Sequence, residues 1–175
     1  VGYIGASDAA QALVLGLQAI QHRGQDAAGM GTLDGERFHL AKDCGLIAQA
    51  LEPTVLAQLP GAAGIAHVRY PTAGANATRE DAQPFLIQHP GILLAHNGNV
   101  TNQDALVREL RSQGWHTQSQ CDAEPILLVL AQELTRLGPS GHTAEQVRDA
   151  VGALFKRVRG AYTVVAVLCS PRVNA

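Results

Sequence analysis

Apolar positions along this chain fall either at helical spacing or in short runs bounded by turn residues. Leu13, Val14, Leu17 and Ile20 fall on one face of a helix. Ser7 or Asp8 stands ahead of it as a cap, and Gln21-His22-Arg23-Gly24-Gln25 breaks it with Gly24 as terminator. Val1 to Ile4 reads as a short strand. Ala27 to Leu33 and Arg37 to Lys42 read as two strands joined at the hairpin signal Asp34-Gly35. Gly29 and Gly31 in the first of them imply close backbone approach. A short helix is predicted over Thr54 to Leu59, after Pro53. Ala62 to Val68 is an apolar strand running into Arg69-Tyr70-Pro71-Thr72-Ala73-Gly74. The polar stretch Ala75 to Gln88 holds Pro84 and reads as a surface loop.

The second half opens on Gly91-Ile92-Leu93-Leu94, a buried strand by pattern, followed by Ala95-His96-Asn97-Gly98-Asn99. Asn-Gly predicts that the strand stops there in a turn. Thr101 and Asp104 match an Asp variant of the capping box, opening a helix to about Gln113. Asp122 to Leu137 is a second helix with Pro125 in its first turn. Thr143 and Gln146 form another capping box, leading to about Val158. Ala161 to Leu168 is a nearly continuous β-branched run, which suits a central strand covered on both faces. Strands in hairpins and helices in groups predict an α+β layered domain.

At 175 residues with 46% hydrophobic content the chain is long enough for one domain with a proper core. Its net charge of -2, with both signs mixed along the chain, argues against nucleic acid or a membrane surface as the main partner. No apolar run approaches a membrane span, and no secretory signal pattern stands at the start. Cys44, Cys121 and Cys169 are too few and too irregularly spaced for a disulfide framework or a zinc site. A reducing, cytoplasmic setting is the expectation. Both ends read as interior positions of a longer chain.

Candidate chemistry gathers at strand ends. The stretch Asn97-Gly98 has two readings, a turn or a pair of donors (a side-chain amide and a backbone N–H) forming an oxyanion hole. Arg69 can grip a carboxylate through two parallel hydrogen bonds, or form a surface salt bridge. Asp122 can cap its helix or accept from an ammonium. Arg23 sits at a helix end, where the dipole favours a cation. His67 and His96 lie beside this candidate site, as bases or as satisfied core histidines. Cys121 adjoins acidic residues, which raises a thiol pKa and makes it a poor nucleophile. Donors for an oxyanion and clamps for a zwitterion are therefore present without a nucleophile, and an amino acid is the natural zwitterion.

Four ordered stretches carry a resemblance: Gln21-His22-Arg23-Gly24-Gln25-Asp26-Ala27-Ala28-Gly29, His67-Val68-Arg69-Tyr70-Pro71-Thr72-Ala73-Gly74, Gln83-Pro84-Phe85 and Ala95-His96-Asn97-Gly98-Asn99. Together they resemble the glutamine amidotransferase domain of amidophosphoribosyltransferases, over Val1 to about Leu168. The resemblance implies a four-layer αββα N-terminal-nucleophile hydrolase fold, with two antiparallel sheets between helical layers, over 1–175. It implies that Arg69, with Thr72 nearby, binds the glutamine α-carboxylate and Asp122 the α-ammonium. Asn97 and Gly98 would form the oxyanion hole, and Arg23 and Gly24 would line the nucleophile's pocket. The family's nucleophile is an N-terminal cysteine, in a start like Cys-Gly-Ile-Val-Gly. Either Val1 replaces that cysteine, or Val1-Gly2 matches the later Val-Gly and three residues lie upstream. The second register better keeps the spacing to His22-Arg23-Gly24. The family's Ser-Asp-Ser-Glu or Ser-Asp-Thr-Glu is Cys121-Asp122-Ala123-Glu124 here, which removes hydroxyls that would flank Asp122. No cofactor is expected in this domain. A phosphoribosyltransferase domain of a parent chain, using Mg²⁺, would take the ammonia, and the parent is expected to be a homo-oligomer. The alternatives are the corresponding domain of glucosamine-6-phosphate synthase and an inactive glutamine-binding module.

Overall fold

The computed structural model describes residues 1–6, 8–70, 78–138 and 141–169. The first half runs β1 (Gly2–Ile4), α1 (Ala9–Ala19), a 3-10 turn (Gln21–Arg23), β2 (Ala27–Asp34), β3 (Arg37–Cys44), α2 (Ile47–Ala50), α3 (Pro53–Leu56) and β4 (Ala63–Arg69). The second half runs β5 (Phe85–Ile87), β6 (Ile92–Val100), α4 (Gln103–Ser112), α5 (Ala123–Leu137), α6 (Ala144–Arg157) and β7 (Gly160–Leu168). Among the described residues the strands form two antiparallel sheets, ordered β1-β4-β2-β3 and β5-β6-β7.

Alternation along the strands builds the layers. On β2 and β4, Ala28, Met30, Ala66 and Val68 face α1 and pack on Leu13 and Leu17. Ile92 and Leu94 of β6 face the other way, onto Ile126, Leu130 and Leu134 of α5 and Leu154 of α6. Between the sheets lies a thin layer of Phe38, Ile65, Leu93 and Ala95. The architecture is thus helix, sheet, sheet, helix, as expected. Gly29 and Gly31 explain how the sheets come so close. A Cβ at Gly31 would lie 2.6 Å from the Leu93 methyls, and one at Gly29 would lie 2.3 Å from the Gln83 carbonyl oxygen.

Local signals held where a side chain could satisfy them. Asp8 caps α1 by accepting from the Gln11 N–H at 3.2 Å, while Ser7 lies outside the described residues. Thr143 and Gln146 form the full capping box of α6. The β2–β3 hairpin closes over Gly35, at φ 58°. The predicted break at Gly24 comes in two steps, with α1 ending at Ala19 before the 3-10 turn that Gly24 closes.

Several expectations are corrected. Asn97-Gly98 is not a turn, because β6 continues through it with Asn97 opposite Thr163 and Gly98 opposite Tyr162. Thr101 does not cap α4. Its hydroxyl bonds to the Arg159 carbonyl, and Asn102, at the cap position, reaches Arg157 and Arg159 instead. The presumed loop before Gln88 contains β5. A helical turn at Ile47–Ala50 went unforeseen, and α3 is shorter than Thr54 to Leu59. The β-branched β7 lies at the sheet's edge, with Val165 exposed, and β6 is central.

Leu93 is fully buried between the sheets, so Leu93→Ala is expected to cost about 2–5 kcal/mol. Thr143→Ala, which removes only a cap, is expected to cost about 1 kcal/mol. Urea unfolding of both variants measures the difference.

Candidate functional site

The site begins where β5 gives out. β5 pairs with β6 only from Ile92 to Leu94, whereas β7 pairs with β6 along its whole length. Beyond Leu94 one edge of β6 has no strand beside it, and its N–H groups must find other acceptors. The His96 N–H donates to Gln83 Oε1 at 2.7 Å, and the Val100 N–H donates to Asp122 Oδ2 at 3.0 Å. Backbone groups alternate between strand edges, so the Gly98 N–H falls on the same edge, between these two. Gly98 has φ 143°, and a Cβ there would lie 2.2 Å from the Ala161 oxygen. Only glycine fits. The Asn97 side chain lies on the face of Leu93 and Ala95, which looks toward the first sheet.

This edge lines a cavity of about 360 Å³ with Arg23, His67, Arg69, Gln83, His96, Asn97, Gly98 and Asp122 among its walls. A neighbouring cavity of about 300 Å³ shares Arg23, His67, His96 and Asn97 and reaches Val1, Thr163 and Val165. Both volumes suit a small metabolite. A larger cleft of about 550 Å³, by Lys42, Phe85 and Trp115, holds none of the predicted site residues.

Four local arrangements build the walls. Gln21 pins the 3-10 turn, donating to the Gly24 carbonyl at 2.6 Å and accepting the Ile47 N–H at 3.0 Å. Gly24 sits against the end of β4, where a Cβ would come 2.7 Å from the Val68 and Arg69 carbonyl carbons. Arg69 Nη1 bonds Asp26 Oδ2 at 2.6 Å, with the arginine side chain only 12% exposed. This is a sheltered pair that orients the guanidinium at the pocket wall, not a surface salt bridge. Asp122 occupies the cap position of α5 yet makes no cap bond. Its carboxylate turns to β6, with Oδ1 3.4 Å from His96 Nδ1.

The segment carrying Asp122 is braced from behind. Buried Glu124 accepts from the Gln118 N–H, the Ser119 N–H and the Ser119 hydroxyl at 2.9, 2.7 and 2.7 Å. Asp81 accepts the Gln120 N–H at 3.0 Å. The segment carrying Asp122 is thereby held at both of its flanks.

The two histidines are not the satisfied core residues that histidines in such places usually are. Among the described residues, buried His67 Nδ1 and His96 Nε2 have no hydrogen-bond partner, a pattern that points to an occupant of the cavity. Burial drives the His67 pKa down to about 4, with the His96 ring and Arg69 adding to the fall and the His96 backbone opposing it. Burial also lowers His96, against the opposing pull of Asp122. Both rings are neutral near pH 7. Burial pushes the Cys121 thiol up to about 11, with Asp122 contributing and the Ala123 backbone opposing. It is no thiolate at neutral pH.

Of the sequence-predicted residues, Arg23, Arg69, Asn97, Gly98 and Asp122 converge on one cavity, and Gly24 packs directly behind it. Thr72 lies outside the described residues. Asp26 and Gln83 stood in the motifs without a role, and only the fold reveals what they touch.

Against known proteins, residues 67–167 match the glutamine amidotransferase domain family. The chain belongs to that family. The amidophosphoribosyltransferase of Pseudomonas aeruginosa is 42% identical over 170 residues, which are 96% of this chain and 34% of that protein. A solved structure described as the allosteric regulatory enzyme of purine biosynthesis matches with a TM-score of 0.78 at 34% identity, covering 95% of this chain and 34% of that one. Glutamine phosphoribosylpyrophosphate amidotransferase from B. subtilis, complexed with ADP and GMP, matches with a TM-score of 0.78 at 31% identity and the same coverage. This amidotransferase domain therefore has the N-terminal-nucleophile hydrolase fold, and it spans about a third of the length of the relatives it matches.

His67 takes up its proton only near pH 4 when folded, against 6.5 as its ordinary value. The unfolded chain then binds the proton first as pH falls. Its contribution to stability is complete above about pH 6.5 and is lost as pH falls toward 4. His67→Gln is expected to flatten this acid limb in urea-unfolding curves taken from pH 7 to pH 4.

Proposed function

We propose that the cavity at the open edge of β6 binds glutamine and releases its amide nitrogen as ammonia. The observation that carries this reading is the convergence of Arg69, Asp122 and the Gly98 N–H on one cavity. Arg69, oriented by Asp26, takes the α-carboxylate. Asp122 takes the α-ammonium. The side-chain carbonyl then points at Gly98, where the backbone N–H and the Asn97 amide receive the negative charge that develops in acyl transfer. Arg23 and Gly24 shape the wall on the nucleophile's side.

The reaction is thiolate attack on the carboxamide carbon, expulsion of ammonia, and hydrolysis of the glutamyl thioester by water. Strand register bears on where the thiol must stand. β1 and β4 pair with Gly2 opposite Ile65, and Val1 bonds Ala66 in both directions at 2.8 Å. The Val1 side chain lies against α1, where a Cβ on Gly16 would come 2.9 Å from it. Gly2 instead faces Val165 and Ile65, in the space between the sheets. A cysteine replacing Val1 would therefore face away from Asn97. A cysteine three positions ahead of Val1 would fall opposite Arg69 and share the face of Gly2, with Asn97 across the gap.

The chain spans 34% of a relative named amidophosphoribosyltransferase, which supports a parent chain whose phosphoribosyltransferase domain takes the ammonia. There it displaces pyrophosphate from phosphoribosyl pyrophosphate with Mg²⁺, in a homo-oligomeric, cytoplasmic enzyme. Among the described residues no group of His, Cys, Asp or Glu is gathered to hold a metal ion.

The chain extended by Cys-Gly-Ile before Val1, with its initiator Met removed, is expected to release glutamate from glutamine, whereas Val1→Cys alone is not. Equal activity of the two would overturn the register. In the extended protein Arg69→Ala is expected to raise the glutamine KM by about tenfold or more; an unchanged KM would remove Arg69 as the carboxylate clamp.

A further inference from the structure

The edge of β6 shows an economy that the glutaminase reading does not by itself require. Its N–H groups at 96 and 100 bond to side chains, and Gly98 between them lines the cavity. Gln83 makes the first of these bonds, and it is poorly placed to move. It is 6% exposed, and its carbonyl oxygen fills the space that a side chain at Gly29 would need. Lys42 of β3 donates to the carbonyls of Glu80 and Ala82 at 3.1 and 2.5 Å, fastening the segment just ahead of Gln83 to the first sheet. The Gln83 side chain then crosses to the second sheet, where Oε1 accepts the His96 N–H. Its Nε2 lies 3.8 Å from Cys121 Sγ, beside Asp122.

We propose that Gln83 is a positioning residue for the oxyanion donor: its side-chain amide takes the place of the missing β5 backbone and holds the edge of β6 so that the Gly98 N–H projects into the cavity. It touches neither the carboxylate clamp nor the ammonium acceptor. It acts through His96, two residues from Gly98, and it ties both to the turn that carries Asp122. The chemical role given to Gly98 rests on the glutaminase reading, but the hold of Gln83 on the strand does not.

The test is amide hydrogen exchange and ¹H–¹⁵N NMR on the chain, with L-glutamine as the probe. In the free protein the His96 and Val100 amides are expected to be protected, and the Gly98 amide to exchange about tenfold faster or more. Glutamine is expected to slow it and shift its resonance. Gln83→Met keeps the size of the side chain and removes the acceptor. It is expected to lose the protection at His96 and the glutamine response of Gly98. Gln83→Glu keeps an acceptor and is expected to retain both signals.

A Gly98 amide as protected as His96 in the free protein would overturn the proposal. So would a full Gly98 response in Gln83→Met. If Gln83→Met does not fold, the free-protein exchange pattern and Gln83→Glu decide, and loss of His96 protection in Gln83→Glu overturns the proposal. A wild-type Gly98 amide indifferent to glutamine instead removes the glutaminase reading, while the ligand-free exchange still judges the hold of Gln83 on the strand.

Discussion

A strand that outruns its neighbour creates this site. β6 keeps β7 along its full length but loses β5 after Leu94, and backbone donors left in a sheltered place must be satisfied or put to use. Gln83 and Asp122 satisfy two of them. The rest of the pocket is arranged around the remaining gap. The segment from Gln118 to Asp122 is braced by Glu124 and Asp81 so that one carboxylate can reach β6. β4 ends beside the same gap with Arg69, and the 3-10 turn packs on it through Gly24.

Electrostatically, two charged walls of the cavity are held by partners. Arg69 is paired with Asp26, and Asp122 is held by a backbone N–H. The two imidazoles that line the same cavity are uncharged near pH 7. Neutral rings leave lone pairs and polarisable edges without adding a positive charge that would draw anions indiscriminately. A zwitterion entering such a space finds one fixed cation and one fixed anion, each already oriented by the fold. Less of the binding energy is then lost to ordering side chains.

Much of this architecture was legible in the residue pattern. Short apolar or β-branched runs bounded by turn residues located six of the seven strands among the described residues, and Asp34-Gly35 and Thr143 with Gln146 announced their turn and cap. Asn97-Gly98 misled, because Asn-Gly favours a turn locally while nine residues of β7 hold the strand straight. β5 was hidden by its brevity and by Pro84 just before it. Thr101 matched a capping motif, but the nearby Arg159 carbonyl is a competing partner visible only in three dimensions. The β-branched run of β7 suggested a covered central strand, yet alternate residues of it are exposed. Among site residues, five of the seven named from sequence line one cavity. The tasks of Asp26, Gln83 and Glu124 could not be read, since each acts on a partner remote along the chain or on a backbone group.

The thin layer between the sheets has one more consequence. Arg69 belongs to one sheet and Gly98 to the other, and Phe38, Ile65, Leu93 and Ala95, with Leu33, Leu86, Val167 and Cys169 packed against them, set the gap between the sheets. A molecule gripped at both points is measured by that gap, as by a pair of callipers. One methylene more or less in the ligand must be absorbed by sliding one sheet over the other, and a close-packed layer resists such a shift. On the proposed binding mode, the packing between the sheets would thus act as a gauge of ligand length.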